Sequence, residues 1–388
     1  MMKRILLIGI GGVYNYGCEA IVRGTVNILK SLEPTIEVYY ASYNAEDDKR
    51  RLAGCDVNII ARPPKKRWTL RNIIRKCLSV IGITYSIPYD KIDWIKDFDT
   101  VFSIGGDIYT LSPTDEYDSS FPLYLEKCQN LGLKYILWGA SVGKFEKNVA
   151  ALNFFRVHLS KIDTIVSREQ NTIDYLHSLG LTKNVFLAPD PAFFVQDPDS
   201  YADKKREDKL TIGINLSPLS ALYEYKDIET AIQRQSNAIV SLMRKMNCRV
   251  ILLPHVISPN PQDNDLTYMN TIRNHIEQLY QTDIEIIDND PGFIGLKKYI
   301  RQCDYVIAAR MHCAVNAVTQ SVSTLFLSYS EKAKGMAEFV YDSKSAVISL
   351  SEFENTELIV EKLKNWNLIS RLENIRQFDF SKILDIEK

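Results

Sequence analysis

Residues 304–308, Asp-Tyr-Val-Ile-Ala, have the β-branched and aromatic content of a short buried strand. Only a few residues on, Ala314, Val315, Val318 and Val322 recur at helical spacing. A strand that hands over directly to a helix places the junction at the carboxyl edge of a parallel sheet, where open α/β folds bind ligands. Arg310 and His312 stand in that junction. A guanidinium can grip an oxyanion in a bidentate manner, an imidazole can move a proton near neutral pH, and a helix start favours negative charge. The junction therefore reads as a compact site for anion chemistry, or, more plainly, as a capping histidine beside an ion-paired arginine.

The same strand-to-helix succession runs along the chain. Apolar runs at residues 4–10, 100–104 and 134–138 read as strands, with weaker candidates at 37–42 and 57–61 and helical spacing at 19–32, 116–131, 149–161 and 171–179. Residues 196–208 are polar and charged, and the boundary between two domains is placed there. Strands then resume at 210–216, 249–254, 284–288, 304–308, 323–328 and 346–350, with helices at 228–246, 266–280 and 293–302. This predicts an α/β chain of two Rossmann-like, doubly wound domains facing a central cleft. The expected division is 1–195, a linker at 196–209, 210–350, and a helical segment at 351–388 that crosses back to the first domain.

At 388 residues the chain is long for one core and comfortable for two. Its 47 basic and 48 acidic residues leave a net charge of −1, so there is no global field to gather nucleic acid, and recognition has to be local. Seven cysteines without CxxC pairs and five dispersed histidines point to reduced thiols and to no metal site. The apolar run at the start is short and lacks a cleavage pattern, and no stretch approaches the ~20 apolar residues that span a bilayer. The reading is a cytoplasmic protein. The basic segment 65–81, with Trp68 and aliphatic residues interleaved, is either a surface helix or a peripheral contact with the inner face of a membrane, where a lipid-linked acceptor would be met.

Further candidates lie at other strand ends. Gly9-Ile-Gly11-Gly12 through Asn15, Gly17 and Glu19 forms a glycine-rich turn in which Asn15 can bond a hydroxyl, but Tyr14 breaks the dinucleotide fingerprint. Gly105-Gly106-Asp107 presents an acid suited to a sugar hydroxyl or to base chemistry, and Gly139-Ala-Ser141-Val-Gly143 again ends a strand in small residues. Ser167-Arg168-Glu169 delivers a second arginine, Asp190 sits in the prolyl turn Asp190-Pro191-Ala192-Phe193, His255 follows the strand at 250–254, and Lys332 follows Ser328. Each also has a plain structural reading as a turn, a cap or an ion pair.

Taken in series, these segments resemble the polysaccharide pyruvyl transferase family. Asn15-Tyr-Gly17-Cys-Glu19-Ala20 matches its Asn-x-Gly-Asp-Glu-Ala opening, Arg310-Met311-His312 its Arg-Leu-His, and Gly105-Gly106-Asp107, Gly139–Gly143, Ser167–Glu169 and Asp190–Phe193 follow in order, with Ser328, Lys332 and Gly335 near the end. The resemblance implies a GT-B-like fold with the acceptor on the N-terminal side and the donor on the C-terminal side. The implied donor is phosphoenolpyruvate, with no further cofactor. The implied acceptor is a hydroxyl pair of a saccharide, and the product a pyruvate ketal in exopolysaccharide, capsule or cell-wall glycan synthesis. On this basis Arg310 and His312 are the expected catalytic residues, Arg168, Arg310, Lys332 and His255 the donor ligands, and Asn15, Glu19, Asp107 and Asp190 the acceptor ligands. Cys18 departs from the family's acid and Ser217 from an arginine common in it. A nucleotide-sugar glycosyltransferase and a catalytically silent saccharide-binding protein are the competing readings.

Overall fold

A computed structural model of the chain describes residues 3–62, 73–74, 77–78, 93–112, 115–117, 121–197, 209–225, 227–280, 284–328 and 331–385. Most of the basic segment 65–81 and most of the expected linker lie outside the described residues. The chain divides into two compact units: residues 1–12, 25–190 and 379–388 form one, and residues 13–24 and 191–378 the other.

The first unit is built on β1 (Arg4–Ile8), α1 (Tyr16–Leu32), β2 (Glu37–Ser42), α2 (Ala45–Arg51), β3 (Asn58–Ala61), β4 (Thr100–Ile104), α3 (Phe121–Leu131), β5 (Lys134–Ala140), α4 (Val149–Leu159), β6 (Thr164–Ser167), α5 (Gln170–Ser178) and β7 (Val185–Leu187). The seven strands form one parallel sheet in the order β3-β2-β1-β4-β5-β6-β7. Ile5 stands opposite Val38 on one side and Thr100 on the other, and β4 is buried along its whole length. A parallel strand covered by helices on both faces needs apolar residues at every position, which is why these runs do not alternate. The order reverses between β1 and β4, so that edge is the topological switch point of the sheet.

The second unit repeats the plan with β8 (Thr211–Asn215), α6 (Pro218–Tyr225), α7 (Ile228–Met246), β9 (Arg249–Leu252), α8 (Asp265–Tyr280), β10 (Glu285–Ile286), α9 (Gly292–Ile300), β11 (Tyr305–Ala308), α10 (Met311–Thr319), β12 (Ser323–Ser328), α11 (Glu331–Tyr341) and β13 (Val347–Ser349). Its six parallel strands run β10-β9-β8-β11-β12-β13, with the switch point between β8 and β11. Ile307 pairs with Ile214 and with Leu325, and all three are fully buried. Asp227 caps α7 by accepting from the N–H groups of Glu229 and Thr230, and Asn247 ends it in the left-handed conformation.

Three parts of the sequence reading change. The helical segment expected at 351–388 is made of short pieces: Ser349 and Glu352 form a capping box that starts a helix at Leu350–Phe353, Asn355 caps Thr356–Lys364, and short turns follow at Leu372–Arg376 and Ser381–Leu384. Contacts keep these pieces with the second unit, and only Asp379–Lys388 pack with the first, where the Phe380 ring lies 5.4 Å from that of Trp138. The division falls after Asp190, ahead of 196–209, because Ala192, Phe193 and Val195 enter the core of the second unit. Finally, α1 begins at Tyr16 and its first half, with residues 13–15, belongs to the second unit. Among the described residues no helix is long and apolar enough to cross a membrane.

Candidate active site

In the second unit, the ends of β8 and β11 meet side by side at the switch point. Asn215, the last residue of β8, is fully buried and ties the two together: its backbone carbonyl accepts from Ala309 N at 3.0 Å and its Oδ1 from Arg310 N at 2.8 Å. Arg310 therefore stands at the N-cap position of α10, but its side chain does not cap the helix. It turns instead to Asp265, which accepts from Nε at 3.1 Å and Nη2 at 2.9 Å, while Asp263 accepts from Nη2 at 2.6 Å.

Asp265 is the organising acid of the site. Fully buried at the start of α8, its Oδ2 also accepts from the backbone N–H groups of His255 and Val256 at 3.1 Å each and from Asn215 Nδ2 at 3.3 Å. Burial pushes its carboxyl pKa up, while Arg310 and the N–H donors pull it down. Surrounded by donors alone, the carboxylate is the form that fits. For Arg310, burial opposes the charge, but Asp265 and then Asp263 outweigh it and the guanidinium pKa is raised. The sequence reading missed Asp265 altogether.

His312 lies in the first turn of α10 and is half-buried. Its ring rests against the backbone of Gly17: a Cβ built on that glycine would fall 2.4 Å from the imidazole Nδ1, so any other residue would displace the ring. Gly17 is held in turn by Asn15, whose Oδ1 accepts its N–H at 2.9 Å, and residues 14–16 pair with 255–257 through Tyr16 N to His255 O at 3.0 Å and Ile257 N to Tyr14 O at 3.1 Å. Tyr16 is buried, and its hydroxyl donates to Asp290 at 2.7 Å. The segment 13–24 thus joins the second unit by building the seat of His312.

Several expected ligands are engaged in contacts within the fold. Glu19 is buried; its Oε2 accepts from Phe293 N at 2.8 Å and its Oε1 from Arg23 Nε at 2.8 Å, so the carboxylate caps α9. His255 is buried between the rings of Tyr16 and Phe293, at 5.4 and 5.8 Å. Burial, then the nearby His312, Arg310 and Lys297, lower its pKa well below the ordinary histidine value, so it is neutral and no cation for a donor anion. Lys332 lies in the first turn of α11, its side chain outside the described residues.

The first unit carries a separate cluster. Arg168 follows β6 and is 2% exposed; its Nε donates to Ser141 Oγ at 3.0 Å, its Nη1 to Asp190 at 2.8 Å and its Nη2 to Asp107 at 3.5 Å. Its guanidinium lies flat on Gly106, where a Cβ would come within 2.3 Å of Nη2. Burial works against the charge, yet Asp190 leads the groups that raise the pKa of Arg168. Asp190 is fully buried, so both members of this pair lie inside the unit. Asp107 differs, with a side chain 59% exposed at the end of its loop. Among the described residues no three His, Cys, Asp or Glu side chains are placed to hold a metal ion.

Solved structures resemble this chain in fold. UDP-GlcNAc 2-epimerase from Methanocaldococcus jannaschii superposes with a TM-score of 0.59 at 12% identity over 100% of both chains. UDP-GlcNAc 2-epimerase from Neisseria meningitidis bound to UDP-GlcNAc gives 0.57 at 13% over 100% of this chain and 95% of its own. HepE of Anabaena in complex with UDP and glucose gives 0.55 at 11% over 99% of this chain and 98% of its own. At such identities the likeness establishes the fold, two Rossmann-like domains of the GT-B class. No curated protein matches the sequence significantly. The family profile for polysaccharide pyruvyl transferase, in contrast, matches residues 15–331, from the Asn15 turn past the Arg310–His312 junction. By that match the chain belongs to the polysaccharide pyruvyl transferase family, a family of transferases.

Proposed function

We propose that the protein transfers the pyruvyl group of phosphoenolpyruvate to a pair of saccharide hydroxyls, forming a pyruvate ketal and releasing phosphate. The observation that carries this reading is the half-buried imidazole of His312, seated on Gly17 at the start of α10 beside Arg310. In the reaction His312 gives a proton to the methylene carbon of phosphoenolpyruvate, which leaves positive charge at C2. A sugar hydroxyl attacks C2 and returns its proton to the imidazole; the C2–O bond to phosphate then breaks, and the neighbouring hydroxyl closes the ketal on C2 while its proton passes to the departing phosphate. Arg310 Nη1, which makes no hydrogen bond within the described residues, and the positive end of α10 face the donor's anionic groups. In the first unit the carboxylate of Asp107, with a side chain 59% exposed, is the candidate group for saccharide hydroxyls, and Asn15 is the candidate in the second. Such a donor places the reaction in the cytoplasm.

The test is phosphate release from phosphoenolpyruvate by the full chain with and without a glycan extract, together with thermal shifts in phosphoenolpyruvate and in UDP. Acceptor-dependent release and stabilisation by phosphoenolpyruvate are expected. Stabilisation by UDP alone would turn the assignment toward a nucleotide-sugar glycosyltransferase.

A further inference from the structure

The two carboxylates that hold Arg310 are of different kinds. Asp265 is fully buried, accepts from four residues and leaves no room for exchange. Asp263 reaches Nη2 from the short 3-10 turn Pro261–Asp263, its side chain is 39% exposed, and this one ion pair is its whole engagement with Arg310. With both in place the cluster carries one cation against two anions. An anionic ligand arriving at the same guanidinium edge meets a net negative charge, and Nη2 is already taken.

We propose that Asp263 is a displaceable internal anion: it occupies the outer edge of Arg310 until the carboxylate or phosphate of the donor replaces it, and so sets the threshold for anion binding. This rests on the reading of Arg310 as a donor ligand given above. Displacement needs no rearrangement of the core. Asp265 keeps the guanidinium in place, and Asp263 moves with a solvent-facing turn whose cap, Asn260 Oδ1 accepting from Gln262 N at 3.2 Å, is independent of the pair. Once Asp263 has left, the cluster is neutral and Nη1 and Nη2 together present the fork that suits an oxyanion.

The experiment is calorimetric titration of the full chain with phosphoenolpyruvate and, separately, with inorganic phosphate, for the wild type, Asp263→Asn and Asp263→Ser. Both variants should bind both anions about tenfold more tightly, and in turnover KM for phosphoenolpyruvate should fall while kcat does not rise. A purely structural role for Asp263 would not produce that split. Equal or weaker binding by variants that unfold at the wild-type temperature overturns the proposal, as does failure of both variants to fold. Tighter phosphate binding without any phosphoenolpyruvate binding supports the displacement and removes phosphoenolpyruvate as the donor. Phosphoenolpyruvate binding untouched by either variant keeps the donor and removes Asp263 from the scheme.

Discussion

Arg168 and Arg310, one in each unit, hold equivalent places in the sequence, since each follows a parallel strand and precedes a helix. Their surroundings separate them. Arg168 is 2% exposed, with Ser141, Asp190 and Asp107 on its nitrogens and Gly106 beneath its plane. The side chain of Arg310 is 13% exposed, leaves Nη1 without a hydrogen bond among the described residues, and stands two residues before a half-buried histidine. An arginine at a strand end is therefore not a ligand by position alone. What separates the two is that Nε, Nη1 and Nη2 of Arg168 all donate within its unit, whereas Arg310 keeps Nη1 without a hydrogen bond among the described residues.

The sharpest way to break the comparison is His312→Ala, expected to lower turnover roughly 10²–10⁴-fold with the thermal midpoint unchanged. Near-normal rates in that variant would remove the proton carrier from the mechanism. Gly17→Ala comes next: its methyl group would occupy the place of the imidazole edge, and a loss of about 10²-fold in kcat is expected from a misplacement of the order of 1 Å, with folding retained. Full activity in this variant would show that the ring does not need its seat.

Arg168→Ala tests the other side. It leaves Asp190 buried without its partner and should destabilise by about 3–5 kcal/mol, read from denaturant midpoints. If that variant unfolds like the wild type but loses donor binding, the two arginines are more alike than their burial indicates. The smallest effect concerns Lys297, fully buried in α9, its ammonium donating to Thr319 Oγ1 at 2.7 Å. Burial lowers its pKa from the usual 10.5 to about 7, so between those values the unfolded chain holds a proton that the folded chain lacks. This group's contribution to stability therefore rises with pH from about 7 to about 10 and is flat below. Lys297→Met should abolish that slope and raise the midpoint at pH 7 by about 2 °C; an identical pH profile in wild type and variant would count against it.

The strands and the Arg310–His312 junction were legible because a buried parallel strand is apolar at every position and its handover to a helix is abrupt. The helix Ala45–Arg51 was not, since Glu, Asp, Lys and Arg supply it almost entirely and it has no apolar stripe to reveal it. Val185–Leu187 is too short to show a period. The partner of Glu19 was hidden for a different reason: an acid after a glycine-rich turn suggests a ligand, and Phe293 N, which it accepts from, is 274 residues away. Asp265 resembles an ordinary helix cap within Gln262-Asp263-Asn264-Asp265, and nothing local signals that it gathers Asn215, His255, Val256 and Arg310.

Residues 13–24 carry a consequence for how the chain matures. They leave the ribosome first among the parts of the second unit, yet Val256, Asp290, Phe293 and His312 are made some 240 to 300 residues later, a wait of tens of seconds at ordinary elongation rates. Until then the amino end of α1 has no partner on which to settle, so competence for the reaction should appear late and all at once during synthesis. A fragment beginning at Pro191 would lack the floor beneath its own imidazole, and adding a peptide that spans 13–24 is the direct way to restore it.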